Sequence, residues 1–169
     1  MTEKAMFPKR IHQRETMKNK YKSIIAIIGT LIISACHDSI YYHHFEDVST
    51  EGWTNADTVS FDIPVPEKDT EMDLEVQARY TNKFQYKKLN LLIETECNGH
   101  STGKDTLSLD MFTDNGTKTG NGITYIEENK TFKKINVRKG QKIRLKIIHN
   151  MRRPSIKGLS GIGIQASTE

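Results

Sequence analysis

The sequence predicts an all-β chain: an antiparallel β-sandwich, jelly-roll-like, preceded by an N-terminal lipoprotein signal peptide. Three observations predict the sandwich. Apolar and polar residues alternate with period two in run after run, helical periodicity is nearly absent, and turn-forming residues separate the runs. Period two sends each apolar set to one face of a sheet and each polar set to water.

Taken in order, Val59, Phe61 and Ile63 alternate with Thr58, Ser60 and Asp62. Met72, Leu74, Val76, Ala78 and Tyr80 alternate with Asp73, Glu75, Gln77 and Arg79. Leu89, Leu91 and Ile93 form the next run, and Leu107, Leu109 and Met111 the one after. Ile143, Leu145 and Ile147 stand against Lys142, Arg144 and Lys146, and Ile162, Ile164 and Ala166 close the chain. Pro64-Val65-Pro66 ends one strand, because proline cannot donate to a central ladder. Asn98-Gly99, Asp114-Asn115-Gly116 and Lys139-Gly140 are turn signals, and Gly120-Asn121-Gly122 marks a loop. Thr81–Lys88, with Phe84 and Tyr86, reads as an aromatic hairpin loop. Seven to nine short strands with these turns favour a sandwich, with a jelly roll as the preferred topology.

Ahead of these runs stands Cys36, at the end of Ile33-Ser34-Ala35-Cys36. Lys18, Lys20 and Lys22 precede an apolar run, Ile24–Ile33, which is about half the roughly 20 residues that span a bilayer. A basic region, a short apolar region, two small residues and a cysteine are the parts of a bacterial lipoprotein signal. Cys36 is therefore the expected lipidation site, its thiolate taking a diacylglyceryl group. Residues 1–35 are read as the signal peptide, 36–42 as acylated cysteine and short tether, and 43–169 as the sandwich. Translation is expected to start at Met17, which begins a signal of ordinary length.

The signal also explains the charge. The whole chain carries +4, but residues 1–35 hold seven basic and two acidic residues, which leaves the mature chain at −1. A near-neutral domain removes the electrostatic argument for nucleic acid. Acylation of Cys36 would leave Cys97 without a disulfide partner, a strand-end thiol beside Asn98-Gly99.

With the strands placed, several motifs stand out. His149-Asn150-Met151-Arg152 is followed by Ile156-Lys157-Gly158-Leu159 and by Gly161-Ile162-Gly163-Ile164. Trp53 follows an aromatic strand (Tyr41, Tyr42, Phe45), and Phe61 lies in the next. Arg79, Tyr86 and Asn90-Leu91 form a central group; Asp105-Thr106 and Asp114…Gly116 come later. On these residues the chain resembles the gliding-motility lipoproteins of the GldH type, over almost its whole length. The family's Asp…Gly element usually continues with Lys-Trp, whereas this chain reads Gly116-Thr117-Lys118-Thr119-Gly120 without tryptophan. The resemblance implies a non-enzymatic, membrane-anchored component of the gliding and associated secretion apparatus.

The candidate binding surface is Trp53, Phe84, Tyr86, Arg152 and Arg153. Trp53, on the polar stretch Glu51-Gly52-Trp53-Thr54-Asn55, can anchor a partner or stack on a sugar; its bulk can equally cap the core. Phe84 and Tyr86 form either an exposed aromatic patch or packing over a sheet edge. Arg152 and Arg153 can grip carboxylates, or one can hold loop carbonyls. His43 and His44 are neighbours on a strand and point to opposite faces, so they do not share a metal. Asp105, Asp110 and Asp114 match no calcium-loop spacing, and Glu94 and Glu96 share a strand face without a sign of a cleft. No catalytic triad context, metal site or cofactor motif is legible.

These readings give two function classes: an envelope protein that docks other proteins, and a carbohydrate-binding lipoprotein, a partner class that the sandwich and aromatics allow. The expected location is the cell envelope, lipid-anchored at the outer membrane. Asp38 alone among His37–Ile40 is acidic, which leaves the periplasmic and surface faces both open.

Overall fold

The alternating runs are strands, and their apolar members face inward. The computed structural model describes residues 39–168; the expected signal peptide, Cys36 and Met17 lie outside the described residues. The strands are β1 Ser39–Asp47, β2 Trp53–Thr54, β3 Val59–Ile63, β4 Thr70–Tyr80 and β5 Lys88–Cys97. They continue as β6 His100–Asp110, β7 Ile126–Val137, β8 Ile143–His149, β9 Ser155–Ile156 and β10 Leu159–Thr168. β1 begins inside the segment read as tether, so Tyr41 and Tyr42 belong to the sheet.

Two four-stranded sheets, ordered β1-β10-β4-β7 and β3-β8-β5-β6, make the layers, and β2 pairs with β9 at one end. The eight long strands pair as nested antiparallel couples: β1 with β10, β3 with β8, β4 with β7 and β5 with β6. The chain thus runs out and back as one long ribbon rolled into two sheets, which is the jelly-roll order. Met72, Leu74, Val76 and Ala78 of β4 are fully buried opposite Leu89, Leu91, Ile93 and Leu145. Each large side chain so buried stabilises the fold by about 1.5–3 kcal/mol.

The turns follow their residues. Asn98 and Gly99 both take positive φ, 50° and 81°, as the tight two-residue link between β5 and β6 requires. Pro64 follows directly on β3, whose last residue is Ile63. The segment 81–87 is different: it was expected to be a hairpin, but β4 and β5 lie in opposite sheets, so it crosses from one layer to the other. Phe84 sets that path by inserting into the core, its ring 5.7 Å from Tyr80 and 5.5 Å from Tyr86.

The glycines of Gly161-Ile162-Gly163-Ile164 now have a physical role. Ile162 and Ile164 fill the core, while Gly161 and Gly163 lie beside Phe45 of β1. The guanidinium of Arg79 sits 3.4 Å from the Phe45 ring centroid and its Nε donates to Glu127 (2.9 Å). On the same face Gln77 is buried and satisfied by His43 (2.7 Å), Glu75 (2.9 Å) and Gln165 (3.4 Å).

Candidate functional site: a basic cleft at the loop end

Nested pairing sorts the connections by length. Residues 48–58, 81–87, 111–125 and 150–158 all lie at one end of the sandwich. The short links 64–69, 98–99 and 138–142 lie at the other end, with Ser39 and Thr168. Scaffolded loops are where binding residues concentrate.

Three of the long loops are laced together. β2 and β9 pair Trp53 with Ile156 and Thr54 with Ser155. Gly158 then joins all three: its amide donates to the Thr50 carbonyl and its carbonyl accepts from Thr81, both at 2.8 Å. Its φ is +86°, and a β-carbon there would stand 2.2 Å from the Phe84 nitrogen. Only glycine allows both this conformation and this approach.

Beneath the loops lies a buried pair. The Trp53 indole donates to the Asp57 carbonyl (2.9 Å) and packs edge-on to His149, with ring centroids 5.2 Å apart. His149 accepts the Met151 amide at Nδ1 (3.4 Å), which makes Nε2 the donor to the Trp53 carbonyl (3.1 Å). Burial pushes the His149 pKa below its ordinary value. The imidazole is therefore a neutral structural brace.

On this brace sits a cleft of about 710 Å³, lined by Glu51, Asn82, Lys83, Tyr86, Arg153 and Lys157, with Gln85 and Ser155 completing the wall. Lys83 donates to Glu51 (2.7 Å), and with Lys157 nearby it holds the Glu51 carboxyl below its usual pKa. Arg153 and Lys157 are exposed, and neither side chain bonds an acceptor among the described residues. Tyr86 is half-buried between Phe84 and the cleft. The arrangement offers two unpaired cations, an aromatic edge and several amides.

The structure brings Tyr86 and Arg153 together, as neighbours in one cleft. Arg152 is exposed but does not line it. Trp53 and Phe84 need correction as surface candidates: their exposures are 2 % and 1 %. Pairing with β9 turns Trp53 inward, and the crossing between sheets carries Phe84 beneath Tyr80. Sequence reasoning missed Lys83, Lys157 and Glu51. The one available signal was that Lys83 and Gln85 flank Phe84, so a buried Phe84 turns both outward.

The other candidates are dispersed. His43 bonds Gln77, while His44 faces Phe61 and Glu46. Asp105, Asp110 and Asp114 each pair with a different lysine: Lys133, Lys88 and Lys87. Glu94 and Glu96 pair with Lys104 and Lys146. No metal-binding group of three His, Cys, Asp or Glu occurs among the described residues.

Residues 40–166 match the family model of the GldH lipoprotein. The chain is 28 % identical to the gliding motility lipoprotein GldH of Flavobacterium johnsoniae, over 82 % of this chain and 89 % of that protein. It is 26 % identical to the GldH homolog of Christiangramia forsetii, over 72 % and 74 %. Among solved structures it is similar to dimeric latent PorU from Porphyromonas gingivalis, at 14 % identity and a TM-score of 0.34. That match covers 81 % of this chain and 14 % of that one. With β2 to β9, the Gly-Ile repeat and the loop-end motifs inside the matched span, the chain belongs to the GldH lipoprotein family.

Proposed function

We propose that this protein is a lipid-anchored, non-enzymatic component of a gliding-motility or associated secretion apparatus, and that it acts by docking a partner in the loop-end cleft. Cys36 carries the lipid, and the outer membrane holds it. The observation that carries the docking role is the pair of unpaired cations, Arg153 and Lys157, beside half-buried Tyr86 in a cleft of about 710 Å³. A guanidinium next to an aromatic edge suits an acidic segment of another envelope protein, because carboxylates take charge-assisted bonds from arginine. Tyr and Arg are also the side chains that most often dominate interface energy.

The test is in-cell crosslinking of the tagged, full-length protein, with mass spectrometry of what co-purifies. Arg153→Glu and Lys157→Glu are exposed changes that leave stability within about 0.5 kcal/mol. The wild type recovers a defined set of envelope proteins and the double variant loses them. Equal recovery by both, or recovery of abundant lipoproteins alone, overturns docking at this cleft; the latter result directs the protein to a polysaccharide panel.

A further inference from the structure

We infer that the short-loop end of the sandwich, around Ile40, Tyr41 and Val65, rests on the lipid headgroup layer. The inference rests on the reading that Cys36 is acylated. Ser39 opens β1 at that end and stands three residues after Cys36. Three Cα steps span at most about 11 Å, so a lipid on Cys36 holds this end close to the bilayer surface.

The surface there suits that position. Ile40 and Val65 are two of the large apolar side chains left exposed among the described residues, at 61 % and 41 %. Each adjoins a residue of one contact at this end: the Tyr41 hydroxyl donates to the Pro64 carbonyl (3.3 Å), with Ile40 next to Tyr41 and Val65 next to Pro64 in the chain. Tyr41, Pro66 and Lys68 line a shallow recess of about 370 Å³ beside them. Tyrosine and flanking prolines bury apolar surface while keeping polar atoms among headgroups, the place where tyrosine is enriched at membranes. Lys68, Arg138, Lys139 and Lys142 at the same end outnumber Glu67 and Asp69, so a basic rim suited to anionic headgroups surrounds the apolar contact. Tethering removes the need for strong affinity, since a lipid on Cys36 keeps the surface at high local concentration.

The test uses the full-length, acylated protein with Cys97→Ser, in phosphatidylethanolamine–phosphatidylglycerol vesicles containing shallow spin-labelled lipid. An environment-sensitive fluorophore is placed on Val65→Cys, on Ile40→Cys as a second site, and on Ile123→Cys at the loop end as reference. Both short-loop sites are expected to be quenched at least threefold more than the Ile123 site. Vesicles that float the protein but quench all three sites alike overturn the resting surface and leave the anchor standing. Protein that fails to float overturns the anchor, and the inference with it.

Discussion

The Phe45 ring occupies the space where a side chain on Gly163 would stand: a β-carbon there would meet three ring atoms at 2.6–2.8 Å. Phe45 in turn holds the Arg79 guanidinium. Gly163→Ala is expected to cost about 1–3 kcal/mol, the usual penalty of forcing atoms into a filled site. The cost belongs to the collision, so Gly163→Ala in a Phe45→Ala background destabilises little further. Denaturant unfolding of the four proteins checks this; simple additivity of the two losses sinks it.

Gly158→Ala is expected to be worse. The left-handed φ alone costs an alanine about 1–2 kcal/mol, and the β-carbon also meets the 83–84 backbone. Gly116→Ala isolates the first cost, because φ there is +77° with nothing within 4 Å of the added atom. The measured order of stability should be wild type, Gly116→Ala, Gly158→Ala. Partner recovery at the cleft should fall only in the last, since Gly158 spaces the loops that carry Lys83 and Lys157.

Thr95 faces the core with a hydroxyl that has no hydrogen-bond partner among the described residues. A buried hydroxyl without a partner is costly, and valine has nearly the same shape. Thr95→Val should therefore raise stability by about 1 kcal/mol, seen as a higher midpoint at unchanged m-value. A lower midpoint would show that the hydroxyl contributes a bond of its own.

His149 gives the stability a defined pH dependence. Its pKa is lowered in the fold because burial disfavours the cation, and protonated Nδ1 would also face the Met151 amide. Above the ordinary value of 6.5 both folded and unfolded forms are neutral, and nothing is lost. As pH falls below 6.5 the unfolded chain takes the proton first, so stability declines until the folded pKa is passed. The slope in that window is at most about 1.4 kcal/mol per pH unit. Unfolding free energies between pH 7.5 and 5 should show the decline in the wild type and a flatter curve in His149→Gln. Parallel curves would remove His149 as its source.

Alternation made the strands legible, because each apolar side chain of β3, β4, β5 and β8 had only one face to go to. The jelly-roll preference held, yet the pairing order rests on partners far apart in sequence, up to Ser39 with Thr168, 129 positions on. The same distance hid the burial of Trp53: its neighbours Glu51, Thr54 and Asn55 are polar, and Ile156, which turns it inward, lies 103 positions later. Phe84 was misplaced for a related reason, since a loop between consecutive strands looks alike whether it turns back or crosses over. Tyr86 and Arg153 were each legible as candidates, but not as neighbours. Their meeting depends on Gly158, whose role only the folded backbone displays.

The pairing of the first strand with the last has a mechanical consequence. Ser39, three residues after the proposed anchor Cys36, and Leu159, which follows the cleft residue Lys157, sit at opposite ends of the β1–β10 couple. Under the proposed anchor at Cys36 and the proposed docking at the cleft, a pull between the two would run along these strands, not across them. Their hydrogen bonds share such a load all at once, whereas a transverse pull would open them one by one. The order of the strands thus suits the protein, in the proposed role, to bear tension.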